Sequence, residues 1–194
     1  VAEWDEDARA LLRAAAYRRD GDAGLAVLAD RPLGPVLQYA GDVLAAAAAQ
    51  GLPGAEAPAR KCVEELDGRG GPGDAELAAE LTAALEGTRA PLAEVPVDLG
   101  ELGTALDRDP AEGVQVLDLW RGEIGEPGPE FAPDAPGHDP ARWLAFWPAG
   151  PAGGGGAPAD GSADGSWARE ERQRGRARAW LAAHGLRPGP RPFL

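Results

Sequence analysis

A chain of 194 residues with 44% hydrophobic and 26% charged residues has the apolar material for one well-buried core or two small ones. It contains no apolar run of bilayer-spanning length, and its formal net charge of −13 opposes a nucleic-acid binder, whose affinity rests on phosphate contacts, and favours a basic partner. A single cysteine, Cys62, excludes an intrachain disulfide; with an acidic N-terminus where a secretory signal needs basic and then apolar residues, it points to the cytoplasm.

Residues 1–87 predict a helical module. Ala8, Leu11, Leu12, Ala15 and Ala16 recur at three- and four-residue spacing and line one helix face. Asp22 reads as the N-cap of a short helix ending at Leu28. Pro35 opens a third helix, which Gly51 and Leu52 close with a Schellman-type cap before Pro53. Two more helices are expected from Pro58 to Leu66 and from Ala75 to Glu86, the latter capped by Asp74 and stopped by Gly87. The stretch GDAGLAVL at 21–28 is echoed by GDAELAAEL at 73–81. Two readings stay open, a helical repeat of the tetratricopeptide kind and a small irregular bundle, and the bundle is favoured.

A linker at 88–97 precedes a change of character: five of the six tryptophans and all three phenylalanines lie beyond residue 119. Residues 98–148 predict a small α+β module. Leu99, Leu102 and Leu106 lie on one side of a short helix, VQVLDLW forms a strand, Arg121-Gly122 turns the chain, and EIGE returns as a hairpin. After the acidic loop PGPEFAPDAPGHDP, ARWLAFW reads as a third strand ended by Pro148. Residues 149–166 are rich in Gly, Ala and Pro and read as a flexible linker. From Trp167 to His184 a helix presents Ala177, Trp180, Leu181 and His184 on one face, and residues 167–194 are expected to dock on the α+β module. The expected fold class is therefore α+β: an N-terminal helical bundle followed by a three-stranded antiparallel sheet packed by a C-terminal helix.

VDLGELGTAL, VLDLWRGEI, DPARWLAFW and REERQRGRARAWLAAHGLRP, in that order, resemble the pieces of a widespread bacterial family of uncharacterised proteins. The resemblance is most specific at Asp118, Leu119, Gly122, Glu123 and the run from Gly175 to Leu181. It implies a strand, a tryptophan-containing strand and a closing amphipathic helix with its arginines at the surface. Where that family has a helical segment between the last two, this sequence has the glycine linker, so the resemblance implies a trimmed variant, and the family carries no settled activity.

Seven arginines lie between residues 169 and 191, giving that segment a balance of +5 and leaving −18 for the rest. Arg172, Arg174, Arg176 and Arg178 are the candidate partner contacts, read as a helix surface facing the acidic body rather than as a nucleic-acid arm. Catalytic chemistry is sparse. Cys62 has no histidine nearby in sequence, His138 and His184 are far apart, and neither a phosphate loop nor a dinucleotide fingerprint is present. Asp118 and Glu123 flank the hairpin turn and are the candidate ligands for a hard cation, the basis of a metal-dependent hydrolase reading. No cofactor is expected. The favoured function is non-catalytic binding of a protein partner, for which the charge favours a basic one, through the helical module or the acidic loop.

Overall fold

The computed structural model describes residues 3–88, 92–132, 138–150 and 163–190. Five helices, α1 (Glu6–Arg18), α2 (Gly21–Leu28), α3 (Leu37–Ala49), α4 (Glu56–Arg69) and α5 (Asp74–Leu85), come first. There follow β1 (Ala93–Val95), α6 (Leu99–Leu106), β2 (Gln115–Asp118), β3 (Ile124–Gly125), β4 (Trp143–Phe146), α7 (Ala163–Ala183) and β5 (Leu186–Pro188). The expected α+β arrangement is present, and no described helix is long and apolar enough to cross a membrane.

Helix boundaries follow from local chemistry. The Asp5 carboxylate accepts the Ala8 N–H and starts α1, which ends where Arg19 enters the left-handed region at φ 51°. Asp20, two residues earlier than expected, caps α2 by accepting the Ala23 N–H. Pro35 lies in a short 3-10 turn ahead of α3. At the other end, Gly51 and Leu52 return their N–H groups to the carbonyls of Ala48 and Ala47, the expected Schellman closure. Asp74 does not cap α5: the cap position belongs to Gly73, and Asp74 is buried in the first turn, accepting from Arg69 and the Gly71 N–H.

Helix α3 is central and packs on α1, α2, α4 and α5. Its residues Leu37, Val43 and Leu44 join Leu12, Leu66, Leu77 and Leu81 in a first apolar core. A second core gathers Val95, Val97, Leu99, Leu102, Leu106, Leu117 and Phe146. The C-terminal helix belongs to both, because Trp167 is buried in the first and Ala177 and Leu181 in the second. Besides packing on α6 of the α+β part, α7 packs on α3 and α5, so it is wedged between the two cores. Trp180 is half-buried, 5.1 Å from the Phe146 ring.

The sheet has the order β3-β2-β4 and is antiparallel, with Leu117 opposite Ile124 and Leu144. Three segments differ from expectation. Residues 93–95, inside the expected linker, form a parallel pair with β5, Val95 opposite Pro188; alternation buries Val95 and Val97, which a free linker has no reason to do. The chain after the helix stop at Gly185 is consequently a strand. Within the expected 149–166 linker, Ala149 donates to the Leu106 carbonyl and α7 already begins at Ala163, while residues 151–162 lie outside the described residues.

Two glycines permit the wedge. A Cβ on Gly103 would overlap the Gln173 backbone where α6 meets α7, and one on Gly175 would overlap the Pro72 carbonyl. Alanine is the better helix former by about 1 kcal/mol, so the sign of a substitution isolates the contact. Gly175→Ala is expected to lower stability by about 1 to 3 kcal/mol in urea denaturation, whereas a gain would show that α7 does not approach the 71–73 loop so closely.

Candidate functional site

The four candidate arginines of α7 do not form one surface. Arg178 is buried, and every guanidinium nitrogen is engaged: Nε donates to Gln38 Oε1 at 3.2 Å, Nη1 to Glu80 at 2.9 Å and Nη2 to Asp42. Arg174, also buried, reaches the other Asp42 oxygen and lies 4.1 Å over the Tyr39 ring. Arg176 pairs with Asp107 of the turn after α6. Only Arg172 is exposed. The expected surface placement is therefore corrected for Arg174 and Arg178, whose charge is matched inside the protein.

Burial alone would raise the Asp42 carboxyl; Arg178 and Arg174 outweigh it and hold the group below the ordinary carboxylate range. One turn earlier on α7, Glu171 accepts the N–H groups of Gln38 at 2.8 Å and Tyr39 at 3.2 Å. These are orphan donors of the first turn of α3, a helix with no side-chain cap of its own. Glu171 therefore caps α3 from a distant part of the chain. Burial nevertheless pushes its carboxyl up to about 7, against the N–H groups and Arg69.

The two candidate cation ligands are separated by what they already do. Asp118 is buried: one oxygen accepts the N–H groups of Trp120 and Arg121, and the other takes Arg142 in a two-nitrogen ion pair. Burial tends to raise this carboxyl, but Arg142 and the two N–H groups keep it lowered. Glu123 is exposed and lies 4.0 Å from Arg121. Among the described residues no three His, Cys, Asp or Glu side chains come together as a metal site. Cys62 is fully buried and its thiol is pushed up to about 12, first by burial and then by Glu65, which removes the thiolate a nucleophile needs. His138 stands edge-on to Phe131, and His184 packs on Trp180.

What Asp118 organises is an aromatic face. Arg142, fixed by Asp118, lies between two tryptophans, 5.3 Å from the centre of Trp120 and 4.4 Å from that of Trp143. Along β4, Leu144 and Phe146 pack toward the second core, so Trp143, Ala145 and Trp147 point the opposite way. Phe131 of the acidic loop meets Trp143 edge-on at 6.4 Å. Trp120 is 63% and Trp147 67% exposed, ahead of the other exposed large apolar side chains, Leu11 and Tyr17. Glu123, Glu126 and Glu130 are exposed on the adjoining hairpin and loop, and Glu123 and Glu130 both act electrostatically on Arg142. β4 is also an edge strand, since among the described residues only β2 pairs with it.

The acidic loop was legible as a candidate contact, but Trp120, Trp147 and Arg142 were not, because tryptophan in a strand reads first as core. The available signal was the even spacing of Trp143, Ala145 and Trp147 against Leu144 and Phe146.

Two substitutions test the α7 contacts. Arg178→Met leaves Asp42 and Glu80 without their main cation and should lower stability by about 3 to 5 kcal/mol in denaturant titration. Glu171 has a folded value near 7 against an ordinary 4.5. Its protonated form is thus favoured by folding, and that contribution is full below the ordinary value and lost as pH rises through 7. Between about pH 5.5 and about pH 8 the native protein should lose about 2 kcal/mol relative to Glu171→Gln. A constant difference would show that Glu171 does not titrate in this range.

No protein-family model matches the chain, and no curated protein or solved structure matches it either.

Proposed function

We propose that the protein is a non-catalytic binding protein that docks a basic, extended segment of a partner protein on the tryptophan face of its small sheet. The observation that carries this reading is the exposure of Trp120 and Trp147 beside Glu123, Glu126 and Glu130. Tryptophan is the strongest aromatic partner for a guanidinium or ammonium group and is over-represented among residues that dominate binding energy. The protein's own Arg142, held between Trp120 and Trp143, models how an incoming arginine would lie against Trp147. The surrounding carboxylates supply long-range attraction for a basic segment and repel nucleic acid. A peptide strand added along the free edge of β4 would present alternate side chains to this face.

The enzyme reading is weakened at Asp118, which is engaged by Arg142 and two backbone N–H groups, and its part in this proposal is to hold Arg142. A nucleic-acid contact through α7 loses Arg174 and Arg178 to Asp42 and Glu80. Kinship with the resembled bacterial family remains part of the proposal, carried by the quoted motifs. A cytoplasmic location also belongs to it, supported by a single buried thiol.

The test is a tryptophan-fluorescence titration with an arginine- and lysine-rich peptide and an acidic peptide of equal length. The basic peptide should bind saturably, and Trp147→Ala should weaken it by about tenfold or more without a change in melting temperature. Equal affinity for the acidic peptide, or no effect of the substitution, would overturn the reading.

A further inference from the structure

A cleft of about 430 Å³ opens between α1, α3, the segment entering α6, and the chain end after β5. None of its lining residues comes from β2, β3 or β4, so it is independent of the tryptophan face. Its size is that of a small-ligand site.

Its charge is opposite to that of the whole chain. Arg13, Arg18, Arg19 and Arg174 line it, against Asp42 and Asp98. Most of these charges have assigned tasks: Arg13 pairs with Glu170, Arg174 with Asp42, and Asp98 caps α6 by accepting the Glu101 N–H. Two cations are left over. Arg19 donates to the Pro188 carbonyl and makes no ion pair among the described residues, acting on Asp42 only through its field, and the Arg18 side chain makes neither a hydrogen bond nor an ion pair among them. The backbone at Arg19 is left-handed, at φ 51°, a conformation that a long side chain adopts only when its surroundings hold it there. Its N–H returns to the Ala16 carbonyl and that of Asp20 to the Ala15 carbonyl, so this conformation is fixed by the end of α1.

The interior wall combines a donor with a flat surface. Arg174 is only 8% exposed, yet its buried Nε has no acceptor. Its guanidinium lies on Tyr39, which in turn stacks on Trp167 with ring centres 4.8 Å apart. Ala10 and Ala14 of α1 complete an apolar side. Cations on a rim and an aliphatic wall are the two halves of a site for an organic anion, the charged head going to the arginines and the body to the wall.

We propose that this cleft binds a small organic anion with an apolar body, its head held by Arg18 and Arg19 and its body against Ala10 and Ala14 of α1. The site does not depend on the peptide-docking role proposed for the sheet, and the experiment uses no peptide.

Calorimetric titration of the full chain with phenyl phosphate tests it, with inorganic phosphate as the head alone and benzyl alcohol as the body alone. Saturable one-to-one binding of phenyl phosphate, tighter than either control, is expected. Arg18→Ala and Arg19→Gly should each weaken it by about tenfold, the loss of one charge-assisted contact. Glycine is the chosen replacement at Arg19 because it accepts the left-handed backbone, so the side chain is removed without strain. Lys61→Ala, which removes an exposed cation on α4, should leave binding unchanged. Absence of saturable binding, equal affinity for inorganic phosphate, or an equal loss in Lys61→Ala would each overturn the proposal. Unchanged melting temperatures for Arg18→Ala and Arg19→Gly separate a lost contact from a lost fold.

Discussion

The placement of α7 depends on charged groups that must be matched where they are buried. Trp167, Glu171, Arg174, Arg178 and Leu181 follow one another at four- and three-residue steps and so share a helix face, and all five are buried. An apolar surface would accept such a helix in several registers. Glu171 accepts only where the α3 N-terminus offers two N–H groups, and Arg178 is satisfied only where Asp42, Glu80 and Gln38 converge. Ion pairs of this kind add little net stability compared with a well-packed apolar contact, yet leaving one partner alone is severe. Their effect here is to select one register for α7.

That register settles much else. Asp74, instead of capping its own helix, joins the same network through Gln38 and Arg69, and Arg69 lies 3.5 Å from Glu171. With α7 held on the bundle, it receives α6 across Gly103, and Ala177 and Leu181 close the second core. The chain leaving α7 then lies beside residues 93–95, and the parallel pair of β1 and β5 forms, with Arg187 set against Glu94 and Glu80. Thus the segment that composition marks as a linker becomes part of the joint between the two cores.

The elements that could be read from sequence are those whose causes are local. Apolar periodicity and end signals placed the five bundle helices, and a strand pattern broken at Gly122 placed the hairpin. What could not be read depends on partners far along the chain. A carboxylate that caps a helix more than a hundred residues away has no local signature, and Val95 and Val97 reveal a strand only once β5 lies beside them. The arginines misled for a physical reason: Arg is mostly exposed, so an Arg-rich helix reads as a surface. The counter-signal was the spacing itself, since Arg174 and Arg178 lie on the stripe that begins with Trp167 and ends with Leu181.

The same matching of charge determines what faces outward. Arg174, Arg178 and Arg176 are engaged by Asp42, Glu80 and Asp107, so of the four candidate arginines only Arg172 is left exposed. The hairpin and acidic loop, by contrast, keep Glu123, Glu126 and Glu130 exposed near Trp120 and Trp143, between which Asp118 holds Arg142. At the end of α1, Arg18 and Arg19 make no ion pair among the described residues, and there the chain forms a cleft rather than a convex face. A peptide with basic side chains and a small anion would therefore be drawn to different parts of the molecule. Their separation follows from which arginines α7 carries inward and which α1 leaves at its end.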